Sequence, residues 1–315
     1  MRIQGSIVAI VTPFDERDEV DVAALRGLVD MHLAEGTHGI VCCGTTGESP
    51  TLSEEEQELV LREVISRVKG KIPVIAGVFS NCTKQTKRMA RKAKECGADA
   101  ILVIVPYFNR PGFEGVKRHV DEVAEVGMPI IFYNHPSRTA LKLSAEQLIE
   151  LSEHPMIYAM KEGSCDLDIF TQVINFCDKP ILSGDDVLAV SQMGAGAKGV
   201  ISIVANVIPR YWSNFLQTCL DNDIVKARSL YVQIAGLCQA MILETNPQCV
   251  KYALSLMGKC RPDLRLPMFI PSEKTQLAIR EEMEKLNLLP EFNNRVRPRP
   301  GPIPNRAPIS ESSIC

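Results

Sequence analysis

Short, almost wholly apolar runs recur along the chain, each followed by a longer segment of mixed polarity. The runs are Ser6–Val11, Gly39–Cys43, Pro73–Val78, Ala100–Val105, Pro129–Tyr133, Ile157–Lys161, Pro180–Ser183 and Gly199–Val204. A strand with one wet face alternates in polarity. A continuous apolar run is what a parallel strand covered on both faces requires. The segments between carry helix signals. Ser53-Glu54-Glu55-Glu56 is a capping box opening a helix to about Lys69, with Gly70 closing it. Thr83 opens a basic helix ending at Gly97, and Ser144-Ala145-Glu146-Gln147 is a second capping box. Asp166 or Asp168 opens a helix that runs to Cys177.

Eight strand–helix units over about 200 residues predict an α/β fold, a (β/α)8 barrel. The competing fold, an open doubly wound sheet, wants a glycine-rich phosphate turn after its first strand. Thr12-Pro13-Phe14-Asp15 is not one, and Gly194-Ala195-Gly196-Ala197-Lys198-Gly199 precedes a strand instead of opening a helix. Helical segments follow at about Val207–Asn222, Ile224–Glu244, Pro247–Met257 and Ser272–Leu286. The predicted organisation is a catalytic barrel over 1–222, a helical C-terminal region over 223–289 and a flexible tail over 290–315. That tail holds six prolines and four arginines and too little apolar surface to order itself.

Composition narrows the function classes. A net charge of −3 gives no general pull toward nucleic acid or an anionic membrane. No apolar run approaches the roughly 20 residues of a membrane span. The N-terminal run Ile7–Val11 is too brief for a signal-peptide core, so a cytoplasmic location is expected. Eleven cysteines form no framework: the count is odd and no CxxC occurs. They read as reduced thiols acting as small core hydrophobes. The five histidines lack ligand spacing, so no metal is expected.

Polar residues that are odd in a barrel core collect at the C-terminal ends of the strands, the face on which such barrels carry active sites. These are Gly44-Thr45-Thr46-Gly47-Glu48-Ser49, Pro106-Tyr107-Phe108-Asn109, Tyr133-Asn134-His135-Pro136-Ser137-Arg138, Lys161-Glu162 and Ser183-Gly184-Asp185-Asp186. Lys161 is the sharpest of them and points inward if Ala159 does, by the two-residue period. It reads in two ways. It is either a strand-end lysine snorkelling to solvent or paired with Glu162, or an amine nucleophile that forms a Schiff base with a carbonyl substrate. Tyr133, at the end of the neighbouring strand, is the candidate acid/base, or else a core tyrosine with a satisfied hydroxyl. Thr45 is placed to hydrogen-bond its phenol, and Thr46 with nearby backbone N–H groups to hold a carboxylate. Arg138 offers a planar fork for a second carboxylate, or a surface ion pair. Together these residues suggest a lysine aldolase acting on an α-keto acid.

The same motifs resemble the dihydrodipicolinate synthase / N-acetylneuraminate lyase family. Gly199-Val200-Ile201-Ser202, Ala205-Asn206-Val207, Asn246-Pro247 with Val250-Lys251, and Arg265-Leu266-Pro267-Met268 fit it too, and the resemblance covers about residues 1–290. It implies a homotetrameric class I aldolase that needs no cofactor and binds pyruvate on Lys161. By the same resemblance Tyr133 relays protons, Thr45 belongs to the hydroxyl chain, Thr46 holds the pyruvate carboxylate, and Gly184 and Ile201 line the pocket. Ser137-Arg138-Thr139 resembles the branch whose arginine receives the carboxylate of L-aspartate 4-semialdehyde. The implied reaction joins that aldehyde to pyruvate, on the way to diaminopimelate and lysine. Two departures stand out. The family pattern has a tyrosine where this chain has Phe108, so an interface relay loses a hydroxyl unless the adjacent Tyr107 substitutes. Ser49, Asn81 and Tyr107 match positions that bind lysine in regulated members. However, Gln85 stands where a glutamate neutralises the lysine amine, and Glu54 and Gln57 replace histidines, so weak or altered feedback is expected. The competing functions are another pyruvate aldolase, such as one for 2-keto-3-deoxy sugar acids, and a catalytically silent binding barrel. Arg138 argues against the first, and the joint presence of Thr45, Tyr133 and Lys161 against the second.

Overall fold

The computed structural model describes residues 3–289; the tail expected over 290–315 lies outside the described residues. Eight parallel strands follow one another around a closed barrel. They are β1 (Gly5–Ala9), β2 (Gly39–Cys42), β3 (Val74–Gly77), β4 (Ala100–Ile104), β5 (Ile130–Asn134), β6 (Ile157–Glu162), β7 (Ile181–Ser183) and β8 (Gly199–Ser202). Closure is made by β8 pairing back onto β1, with Gly5 opposite Gly199. A Cβ at Gly199 would stand 2.4 Å from the Gly5 backbone, so the seam needs a residue without a side chain.

The strands sort their side chains by the pleat. Ile7, Leu102, Ile131, Tyr133, Ala159, Leu182 and Ile201 point into the barrel, while Val8, Ile101, Val103, Phe132, Met160 and Val200 pack outward under the helices. Both faces are therefore apolar, which is why the runs lack alternation. Strand ends differ from expectation by one or two residues for local reasons. β2 stops at Cys42 because Cys43 adopts a left-handed φ of 52°, and β8 stops at Ser202 because a 3-10 turn begins at Val204.

The enclosing helices are α1 (Val22–Ala34), α2 (Glu54–Val68), α3 (Thr83–Cys96), α4 (Phe113–Ala124), α6 (Ala145–Ser152), α7 (Leu167–Phe176), α8 (Ala189–Gly194) and α9 (Pro209–Leu220), with α5 (Pro136–Thr139) a single turn in the loop after β5. Both capping boxes form: Glu56 and Ser53 exchange bonds at the start of α2, as do Gln147 and Ser144 at α6. Asp166 caps α7. At the end of α2 the left-handed cap is Lys69, at φ 51°, one residue before the expected Gly70.

Beyond the barrel, α10 (Ile224–Ala240) packs on α9, and α11 (Gln248–Leu256) and α12 (Glu273–Lys285) pack together as a C-terminal appendage. No helix among the described residues is long and apolar enough to cross a membrane. A fully buried ion pair fastens the appendage to the β2 loop. Lys251 Nζ of α11 donates to Glu48 Oε1 at 2.7 Å and to the Thr12 carbonyl at 2.9 Å, and lies 4.1 Å from the centroid of the Phe14 ring. Glu48 Oε2 accepts from the Arg265 backbone N–H at 3.1 Å. Burial pushes the Glu48 carboxyl up, and the Lys251 ammonium pulls it back. Removing one member of such a pair strands the other charge in a dry interior. Lys251→Met is expected to lower the unfolding free energy by about 3–5 kcal/mol in a denaturant titration. A loss below about 1 kcal/mol would show that Glu48 is neutral or rehydrated in the variant.

Candidate active site

The parallel register of β5 and β6 sets Tyr133 directly opposite Lys161 at the top of the barrel. Both side chains point inward, as the period from Ala159 requires. Lys161 is buried, at 8% exposure, with its Nζ 4.1 Å from the centroid of the Tyr133 ring. Glu162 faces the opposite way, where its Oε2 accepts from Asn134 Nδ2 at 2.8 Å and its Oε1 from the Ser164 N–H at 2.6 Å. Of the readings open for Lys161, the geometry thus removes the snorkelling side chain and the Glu162 pair.

Burial governs the ionisation of both groups. It lowers the Lys161 ammonium to about 7, opposed by the Asp186 carboxylate and assisted by the Arg138 charge. A free lysine is neutral about once in 2,500 molecules at pH 7. An amine with its pKa at about 7 is neutral in about half of them, a gain of about three orders of magnitude in nucleophile. Desolvation pushes the Tyr133 phenol well above its ordinary range, which keeps the hydroxyl protonated.

Two spaces meet at this point. An inner cavity of about 50 Å³ is lined by Thr45, Thr46, Tyr133, Lys161, Gly184 and Ile201 among others. An outer vestibule of about 680 Å³ is lined by Ser137, Cys165, Asp185, Asp186, Glu244 and their neighbours. His135, Arg138, Gly184, Ile203 and Asn246 border both. The inner space suits a few non-hydrogen atoms beside the amine, and the vestibule a larger second molecule with Arg138 at the join. Gly184 makes the inner space possible: a Cβ there would stand 2.9 Å from Lys161 Cε.

Thr45 and Tyr133 face the same cavity, and among the described residues no hydrogen bond joins them. Thr46 Oγ1 accepts from Asn246 Nδ2 at 2.9 Å, a tie across 200 positions of sequence. Ile201 lies on the inward face of β8. Other expected residues stand apart from the cavity. Tyr107 is half-buried against the inner barrel cluster, while Phe108 is 88% exposed at a left-handed φ of 68°. Of the residues expected to bind lysine, Glu54 pairs with Arg88 and Gln85 Oε1 accepts from Ser80 Oγ at 3.2 Å. The Asn81 carbonyl accepts from Asn109, and Ser49 is buried.

Asp186 and Asn246 lie within the motifs that stand out in the sequence, yet sequence reasoning gives neither a part. Asp186 Oδ2 accepts from the Ile203 and Val204 N–H groups at 2.9 and 2.7 Å, and so shapes the loop after β8. Burial raises its carboxyl to about 6. A second acid at a strand end was the available signal.

A dry strand-end amine beside a protonated phenol, in the mouth of a closed parallel barrel, is the equipment of an imine-forming lysine enzyme. The comparisons with known proteins agree. A sequence model described as the Dihydrodipicolinate synthetase family matches residues 2–286, and the chain belongs to that family. Among its relatives is a 4-hydroxy-tetrahydrodipicolinate synthase of Aquifex aeolicus, 42% identical over 90% of this chain and 98% of that protein. Another, from Geobacter sulfurreducens, is 41% identical over 91% of this chain and 99% of the relative. A solved dihydrodipicolinate synthase of Acinetobacter baumannii, complexed with pyruvate, superposes with a TM-score of 0.89 at 37% identity, covering 91% of this chain and all of that one.

Gly184→Ala is expected to displace Lys161, whose Cε would lie 2.9 Å from the new Cβ, and to cut imine formation with a keto acid by up to about 10²-fold, the cost of a reactive group misplaced by about 1 Å. Stopped-flow trapping of the imine, with circular dichroism to confirm the fold, checks this. Unchanged trapping would show that the side chain bends aside freely.

Proposed function

We propose that the chain is a class I aldolase that condenses pyruvate with L-aspartate 4-semialdehyde to 4-hydroxy-tetrahydrodipicolinate. The observation that carries the reading is the buried Lys161 amine, 4.1 Å from the Tyr133 ring centroid, in a small cavity that meets the outer vestibule. The neutral amine attacks the ketone carbon of pyruvate, and loss of water gives an imine on Lys161. Thr46, steadied by Asn246, and the backbone N–H groups of its turn hold the pyruvate carboxylate. A proton leaves the methyl carbon by way of the Tyr133 and Thr45 hydroxyls and cavity water, which gives an enamine. The enamine carbon attacks the aldehyde carbon, forming a C–C bond, and the aldehyde oxygen takes up a proton. The amino group of the second substrate then attacks the imine carbon, closes the ring and frees Lys161.

Arg138 at the join of the two spaces favours an aldehyde that carries a carboxylate, and so favours aspartate semialdehyde over a sugar-derived aldehyde. Pyruvate with borohydride is expected to modify Lys161 and no other lysine, read by peptide mass mapping. Turnover with aspartate semialdehyde is expected to exceed that with glyceraldehyde. An unmodified Lys161 removes the aldolase, and equal turnover removes the substrate assignment.

The assembly that fits the family is a homotetramer, in which a second copy covers the exposed ring of Phe108. Phe108 has no hydroxyl, so the relay within one chain runs through Thr45, Tyr133 and water. Phe108→Tyr is expected to leave the turnover number unchanged or raise it. A large loss would show a pocket rebuilt around the phenyl ring, and sedimentation of the parent protein as a monomer would remove the assembly.

A further inference from the structure

His135 lies where the inner cavity opens into the vestibule and borders both. Its Nδ1 is 3.0 Å from Ser137 Oγ, which leaves Nε2 as the ring nitrogen for a bound molecule. The imidazole stands edge-on to the Tyr133 ring, with centroids 5.5 Å apart and planes at 73°. Gly163 gives it room: a Cβ there would stand 3.3 Å from Tyr133 Cε2 and 3.5 Å from His135 Cδ2. The mechanism above assigns this ring no part, although it borders the path by which a second substrate meets the enamine.

The charges around the ring come from three elements: Lys161 at the end of β6, Arg138 on α5 and Asp185 after β7. Burial lowers the imidazolium to about 4, and the Lys161 and Arg138 charges add to the effect. The ring is therefore neutral wherever Lys161 is a free amine. In the tautomer in which Nδ1 accepts from the Ser137 hydroxyl, 3.0 Å away, the ring proton sits on Nε2. A neutral imidazole of this kind polarises a carbonyl by donating a hydrogen bond and need not give up its proton.

We propose that His135 is a catalytic residue for the second substrate, its Nε2–H donating to the carbonyl oxygen of the aldehyde as the enamine attacks. The inference rests on the aldolase reading above and deepens it. In the step, the new C–C bond forms from the enamine electron pair and the carbonyl π pair moves onto oxygen. The Nε2–H hydrogen bond stabilises that oxygen until it takes the proton that the methyl carbon gave up earlier. The donor is on the same chain and so does not depend on the hydroxyl that Phe108 lacks.

The test compares His135→Phe, which keeps the ring packing and loses both nitrogens, with His135→Gln, which keeps an N–H donor. For His135→Phe, borohydride trapping of pyruvate on Lys161 is expected to stay within about twofold of the parent. Condensation with aspartate semialdehyde is expected to fall about 10²-fold, as for loss of one donor to a developing oxyanion. His135→Gln is expected to recover part of the loss. Condensation within about twofold of the parent in His135→Phe overturns the proposal. So does a parallel fall in trapping, which would make the ring a prop for Tyr133 and Lys161. If His135→Phe does not fold, His135→Ala with added imidazole decides: rescue of condensation supports the proposal, and no rescue in a folded protein overturns it. Failure of the parent to trap pyruvate would instead strike the aldolase reading itself.

Discussion

Desolvation of one amine governs the rest of the site. A lysine in water is almost always charged and carries no lone pair to attack with. Lys161 sits where the last inward position of β6 meets the top of a packed barrel interior, so water is excluded on the strand side and by the Tyr133 ring. Nearby charges then trim the value: Asp186 favours the ammonium and Arg138 disfavours it, leaving the amine balanced near neutrality. Gly184 belongs to the same constraint, because the lysine stem crosses the space that a side chain there would fill.

That amine is held by strands, and its surroundings by loops. The loops are anchored by long-range polar ties. Glu48 meets Lys251 in a buried ion pair, Thr46 meets Asn246, and Asp186 gathers the backbone after β8. The first two reach from the β2 loop to the C-terminal appendage, to Lys251 on α11 and to Asn246 in the loop before it. The appendage therefore takes part in building the site. It sets the wall of the cavity on the side of Thr46, and it contributes Ile242 to Asn246 to the vestibule. Stability of the appendage and shape of the site are coupled through Lys251.

Much of this was legible in the sequence. The eight strands announced themselves because parallel strands with covered faces are apolar throughout, and Lys161 and Tyr133 announced themselves as polar ends to such runs. Boundaries slipped where a single residue broke the pattern, as at the left-handed Cys43 and Lys69, which propensity does not flag. The ties between Glu48 and Lys251 and between Thr46 and Asn246 were not legible, since each joins residues 200 or more positions apart. His135 was overlooked for a different reason. A lone histidine in a loop carries no local sign of the Ser137 contact and the Tyr133 ring that define its surroundings.

The central claim is that the barrel mouth frees the Lys161 amine of its proton near neutral pH. The most direct measurement is the initial rate of imine formation between pyruvate and Lys161 as a function of pH, sampled by quenching timed aliquots with excess borohydride and mapping the modified peptide. The groups facing the amine are Tyr133 on β5, Arg138 and His135 in the loop that follows it, and Asp186 after β7. Burial raises the Asp186 carboxyl to about 6 and lowers the His135 imidazolium to about 4. The rate of imine formation is expected to rise through a midpoint near pH 7 and then level off, because only the unprotonated amine attacks. A rate that keeps rising toward pH 10, the range of a lysine in water, would contradict the account.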